Sequence, residues 1–137
     1  MKQTYIFDGI RSPFGKYGGH LKSLRPDDLM ALTIRELLIK NPNIENDIED
    51  VVVGDSNQAG EDARNIARNS ALLSGISIQA GGITVNRLCG SGLAAVHLAS
   101  NSIKCNEGNL YVAGGVESMT RAPLIIAKTE NAFSRTI

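Results

Sequence analysis

Ile83-Thr84-Val85-Asn86-Arg87-Leu88-Cys89-Gly90-Ser91-Gly92-Leu93-Ala94-Ala95-Val96 passes from a β-branched run, through one cysteine between polar and glycine residues, into an apolar pattern of helical spacing. The β-branched residues predict a strand and the residues after Gly92 a helix, which puts Cys89 at a strand-to-helix turn. Backbone N–H groups at a helix start carry partial positive charge, and this favours the thiolate that nucleophilic chemistry needs. Gly90 and Gly92 place no side chain beside the sulfur, so an acyl group has room to approach the backbone. A free cysteine is also among the most buried residue types, where it acts as a small hydrophobe. The residues alone leave both readings open.

The elements on either side of this turn settle the fold class. Val51-Val52-Val53 is a continuous β-branched run, which suits a strand covered on both faces, as in a parallel sheet. Residues 4–7 and 110–113 read as further short strands. Pro26 at a first-turn position, Asp27 and Asp28 beside it, and Leu29, Ala31, Leu32, Ile34, Leu37 and Leu38 predict a helix that stops before Asn41-Pro42. A second helix is expected after Gly60-Glu61-Asp62, with Ala63, Ile66, Ala67, Ala71 and Leu72 near one face and Ser74-Gly75 as its end. The third covers residues 90–104. Strands alternating with helices imply an α/β fold: a mostly parallel sheet with helices on both faces. The third helix has almost no charged face before Lys104, and a helix apolar all round is buried all round. One small sheet cannot cover it, so a second domain or subunit is expected on its far side.

Composition excludes several classes of function. The chain has 137 residues, enough for one domain with a real core, and its 14 basic residues balance its 14 acidic ones. Basic residues are scattered and aromatics few, which argues against a nucleic-acid surface. No window reaches the roughly 18 apolar residues of a membrane helix, and residues 1–9 lack the apolar core and cleavage site of a signal peptide. A soluble, cytoplasmic protein with reduced thiols is expected. Cys89 and Cys105 are too far apart for a metal-ligand pair or a Cys-x-x-Cys motif, and no metal ligand set is read from the chain. The glycines at 114 and 115 do not give G-x-G-x-x-G, and no P-loop lysine motif follows a strand.

Several blocks together carry a family resemblance. Val85-Asn86-Arg87-Leu88-Cys89-Gly90-Ser91-Gly92 resembles the active-site segment of the thiolases. Ala113-Gly114-Gly115-Val116-Glu117-Ser118-Met119-Thr120-Arg121-Ala122-Pro123 resembles the stretch after the fourth strand of that family. Arg11-Ser12-Pro13-Phe14-Gly15 looks like its opening loop, and Gln58-Ala59-Gly60 with Ala67-Arg68 and Ala71-Leu72-Leu73 like its second-helix region. Within the family, residues 57–62 and 64–68 look most like thiolases acting on 3-oxoadipyl-CoA. The resemblance covers essentially the whole chain.

That resemblance implies a thiolase-like layered fold, N-terminal half only, with residues 1–118 as an incomplete core and 119–137 as the start of a loop domain. It implies acyl transfer between a 3-oxoacyl-CoA and CoA, by cleavage or Claisen condensation, with CoA thioesters as substrates and no separate cofactor. Cys89 would be the nucleophile and carry an S-acyl intermediate. Its backbone N–H would help stabilise the oxyanion. Asn86, Arg87, Leu88, Gly90, Ser91 and Gly92 would shape the turn. A full-length protein is expected to be a homodimer or homotetramer.

The family's activating histidine and second cysteine come from a homologous second half, before which this chain ends. His97, eight residues along a helix, would be about 12 Å away, beyond the roughly 3 Å a general base needs; it is expected to pack in its helix. His20 lies in a loop, and Cys105, at the helix end, reads as structural. The chain is therefore expected to be a fragment that is inactive alone. A non-catalytic dimerising or interaction fragment, and a fatty-acid-type condensing enzyme, stand as alternatives.

Overall fold

The computed structural model describes residues 2–128, and part of the loop region expected at 119–137 lies outside them. Helix α1, Pro26–Lys40, opens with the expected proline and two aspartates and closes with Lys40 in its last turn. Each charge faces the end of the helix dipole that it complements. Strand β1, Asp50–Gly54, is followed by a 3-10 turn, Gly60–Asp62, and by helix α2, Ile66–Ser74. The second helix is thus shorter than expected, since Ala63 stays outside it. Asn65 caps α2 by accepting from the Arg68 N–H, and Gly75 ends it in the left-handed region at φ 95°; glycine takes that conformation without steric cost. Strand β2, Ile83–Val85, helix α3, Ser91–Lys104, and strand β3, Tyr111–Gly115, complete the order.

The sheet is parallel throughout, in the order β2-β1-β3, so the triple-valine strand is central. Its side chains alternate between two cores. Val51 and Val53 pack with Met30, Ile34, Ile66, Ala67 and Ala71 of α1 and α2. Val52 packs with Ala95 and Ala99 of α3. A continuous apolar strand is therefore explained by helices on both faces, each buried valine stabilising the fold by about 1.5 to 3 kcal/mol.

A further expectation changes. Residues 4–7 form no strand; Tyr5, Ile6 and Phe7 are exposed, Ile6 by 85%. Alternating side chains describe a face, but a strand also needs a neighbouring backbone to pair with. The segment is held by side chains instead, with Thr4 Oγ1 at 2.8 Å from Ser100 Oγ and Lys2 Nζ at 2.8 Å from Asn109 Oδ1. The outer face of α3 is bare: Ser91, Ala95 and Ala99 are buried, while Leu93 is 76% exposed and Val96 and Leu98 are also open. The sheet covers one stripe of an apolar helix, as its small size dictates.

Asp8 ties the N-terminal segment to the end of α1. Its carboxylate accepts from Asn41 Nδ2 at 2.7 Å and Lys40 Nζ at 2.6 Å. Those bonds, Asn41's first, then Lys40's and the Gly9 N–H, lower its pKa from 3.8 to about 2. An acid whose pKa falls on folding adds stability above its unfolded pKa and loses it as pH drops through the folded one. The tether is therefore expected to be intact above about pH 4 and to release between about pH 4 and pH 2. NMR titration of the Asp8 carboxyl checks this; an ordinary aspartate midpoint would refute it.

Candidate functional site

Asn86 to Ser91 form a turn closed on itself at the C-terminal end of the sheet. Arg87 N donates to Ser91 Oγ at 2.8 Å and Leu88 N to Asn86 Oδ1 at 2.8 Å. Gly90 N donates to Arg87 O and Ser91 N to Leu88 O, both at 3.0 Å. Ser91 Oγ in turn donates to Leu88 O at 2.6 Å. Four of the five N–H groups from Arg87 to Ser91 are thus bonded within the turn, and that of Cys89 is not among them. Leu88 is left-handed at φ 50°, a conformation that costs a non-glycine residue roughly 1 to 2 kcal/mol and persists because these bonds over-determine it.

Cys89 is exposed and free, so the buried-hydrophobe reading fails. It sits at the expected strand-to-helix junction, one residue before the Gly90 cap of α3. The six residues around it that were expected to shape the turn are together there, and Asn86 anchors it through Nδ2 to Ser56 O at 3.1 Å.

The glycines divide into two kinds. A Cβ on Gly90 would meet only Arg87, its carbonyl oxygen at 3.4 Å, and one on Gly92 would make ordinary contact with Gly115. The fold does not require glycine at either place, which fits open space for a ligand beside Cys89. Gly54 is different: its Cβ would lie 2.2 Å from the Ser91 carbonyl carbon and 2.4 Å from Gly92 N. The start of α3 thus rests backbone to backbone on the end of β1.

His97 is exposed rather than packed in its helix, and lines two shallow depressions of about 310 and 470 Å³ shared with Arg87 and Ala94. His20 is exposed in its loop. Cys105 caps the far end of α3 and is also exposed, so no core packing holds it. The fourteen residues of α3 separate the thiols by about 20 Å.

Sequence reading missed an acidic group behind the turn. Asp55, Asp62 and Glu117 each place a carboxylate oxygen within 4.8 Å of the others. Burial, followed by the charges of Asp62 and Glu117, pushes the Asp55 carboxyl up to about 6. Asp62 is also raised to about 6, again by burial first, against the lowering effect of its bond from Asn57. The available signal was position: β1 and β3 pair Gly54 with Gly115, so the acids just past each strand end become neighbours.

A family profile described as "Thiolase, N-terminal domain" matches residues 4–136. The chain belongs to the thiolase family. It is 53% identical over 136 residues to the 3-oxoadipyl-CoA/3-oxo-5,6-dehydrosuberyl-CoA thiolase of Escherichia coli K12, covering 98% of this chain and 34% of that relative. A beta-ketoadipyl-CoA thiolase of Acinetobacter baylyi is 51% identical over 137 residues, again with 34% of its length covered. The crystal structure of Acat5 thiolase from Ascaris suum in complex with coenzyme A superposes with a TM-score of 0.89 at 30% identity, over 96% of this chain and 34% of that one. The thiolase fold expected from the sequence is therefore present, and the chain spans about a third of the length of these thiolases. Among the described residues, no helix is long and apolar enough to cross a membrane.

Proposed function

We propose that this thiolase segment supplies the nucleophile for acyl transfer between a 3-oxoacyl-CoA and CoA, with 3-oxoadipyl-CoA or a close dicarboxylic analogue as substrate. The substrate class rests on the names of the relatives at 51 to 53% identity. The chemistry rests on one observation: an exposed Cys89 on a self-bonded turn whose own N–H is left outside the turn's bonding. In the cleaving direction the Cys89 thiolate attacks the 3-oxo carbonyl. The C2–C3 bond then breaks, the two-carbon CoA thioester leaves and is protonated at its α-carbon, and the remaining acyl group stays on sulfur. The thiol of a second CoA collects that group, so the two half-reactions are separate. The Cys89 N–H, which the bonds within the turn leave unused, would stabilise the oxyanion as charge develops.

Proton transfer falls to a histidine and a second cysteine of the kind the resemblance implies, in the part of the relatives' length that this chain does not span. The isolated 137-residue chain is accordingly expected to show no turnover. The open face of α3 would be covered by that remainder or by a second subunit.

Mass spectrometry tests the assignment. Incubating the complete protein with a 3-oxoacyl-CoA, CoA omitted, should leave the acyl mass on the Cys89 peptide. It should also protect that peptide from iodoacetamide at pH 7. Without substrate, Cys89 should label faster than Cys105, as expected of a catalytic nucleophile compared with a thiol that takes no part in the reaction. Acyl mass on Cys105, or equal slow labelling of both, would refute it.

A further inference from the structure

We propose that Asp55, Asp62 and Glu117 form a site for a hard divalent cation of the Ca²⁺ or Mg²⁺ class, directly behind the Cys89 turn. Two independent observations point to a ligand. The three carboxylates approach within 4.8 Å, close enough to share one ion at the 2.3 to 2.6 Å typical of calcium–oxygen contacts, about twice which is the widest spacing one ion can bridge. Separately, Asp55 is only 1% exposed, and its Oδ2 has no hydrogen-bond partner among the described residues. An acceptor taken from water without a partner costs about 1 to 3 kcal/mol, more when charged, so native structures rarely leave one unfilled.

The surroundings leave the charge unmatched. Among the described residues, none of the three acids is in an ion pair; the neighbouring arginines are committed elsewhere, Arg25 to Asp27 and Arg121 to Glu61. An all-oxygen, carboxylate-rich set suits a hard cation rather than zinc or copper. Asp55 and Asp62 make a buried floor, while Glu117 is exposed and offers the way in. Occupancy would bear on the reactive turn, because Glu117 Oε2 also accepts from Ser56 N and Oγ, at 3.0 and 2.5 Å, and Ser56 O anchors Asn86.

The experiment strips the natively assembled protein with chelator and titrates it with Mn²⁺, following loss of the free-ion EPR signal, then competes with Ca²⁺ and Mg²⁺. One Mn²⁺ per chain is expected to bind and to be displaced. Asp55→Asn and Glu117→Gln should each weaken it at least tenfold and remove the thermal stabilisation that Ca²⁺ gives the wild type. Glu117→Gln changes an exposed position, so it reports binding even if Asp55→Asn folds poorly. An undiminished free-Mn²⁺ signal, or variants that bind as the wild type does, would overturn the proposal. So would a higher melting temperature of Asp55→Asn without Mn²⁺ binding by the wild type, which would show that the cluster holds a proton instead.

Discussion

Cys89→Ala is expected to lower kcat for thiolysis of a 3-oxoacyl-CoA by about three orders of magnitude or more, the scale on which enzymes lose activity when a covalent nucleophile is deleted. The folded state should barely notice. Cys89 is exposed, and the bonds that hold the turn run through Asn86, Arg87, Leu88, Gly90 and Ser91, so the melting temperature should stay within about 2 °C. Substrate binding should persist as well, because the backbone that shapes the site is unchanged. Steady-state kinetics of the complete enzyme, with circular dichroism as the control for folding, separates these effects. Retained thiolysis, or acyl transfer that continues through Cys105, would remove Cys89 from the mechanism.

Gly54→Ala is expected to be the most damaging single methyl that can be added near the site. The new carbon would stand 2.2 to 2.4 Å from the backbone of Ser91 and Gly92, and backbone atoms cannot rotate away as a side-chain tip can. Either β1 or the start of α3 must shift. Overpacking a close contact costs about 1 to 3 kcal/mol, and here the upper end is expected, measured as a drop in the urea midpoint. A shift of α3 also carries Ser91 with it, and Ser91 Oγ holds Arg87 N and Leu88 O. A displacement of about 1 Å at the proposed nucleophile costs on the order of 100-fold in rate, so the surviving folded enzyme should be slow too. Gly90→Ala is the informative contrast. Its methyl meets only Arg87, at 3.4 Å, so stability should hold while KM rises if the acyl group uses that space. Equal stability loss in both variants would contradict the packing argument.

What could be read from the chain follows local rules. Pro26 with its aspartates marks the start of α1, Gly75 the end of α2, and the triple valine a strand covered on two sides, because each depends on backbone torsions and side-chain periodicity within a few residues. The turn around Cys89 was legible for the same reason. Residues 4–7 misled because Tyr5, Ile6 and Phe7 have strand-like side chains but no backbone partner. On α1, Met30 lies outside the apolar pattern that predicts the helix yet is buried, whereas Leu32 within that pattern is exposed. Helical periodicity gives the width of an apolar stripe but not which edge of it meets the sheet.

By itself, then, the sequence determined the α/β class, the parallel central strand and a cysteine at a strand-to-helix junction. The tertiary structure decided that this cysteine is open to solvent, that Gly54 rather than Gly90 is the glycine the packing demands, and that Asp55, Asp62 and Glu117 meet. The division has a physical cause. Torsions and periodicity are properties of neighbouring residues, whereas exposure, close approach and charge clustering arise only when parallel strands 61 residues apart, such as Gly54 and Gly115, are brought into register.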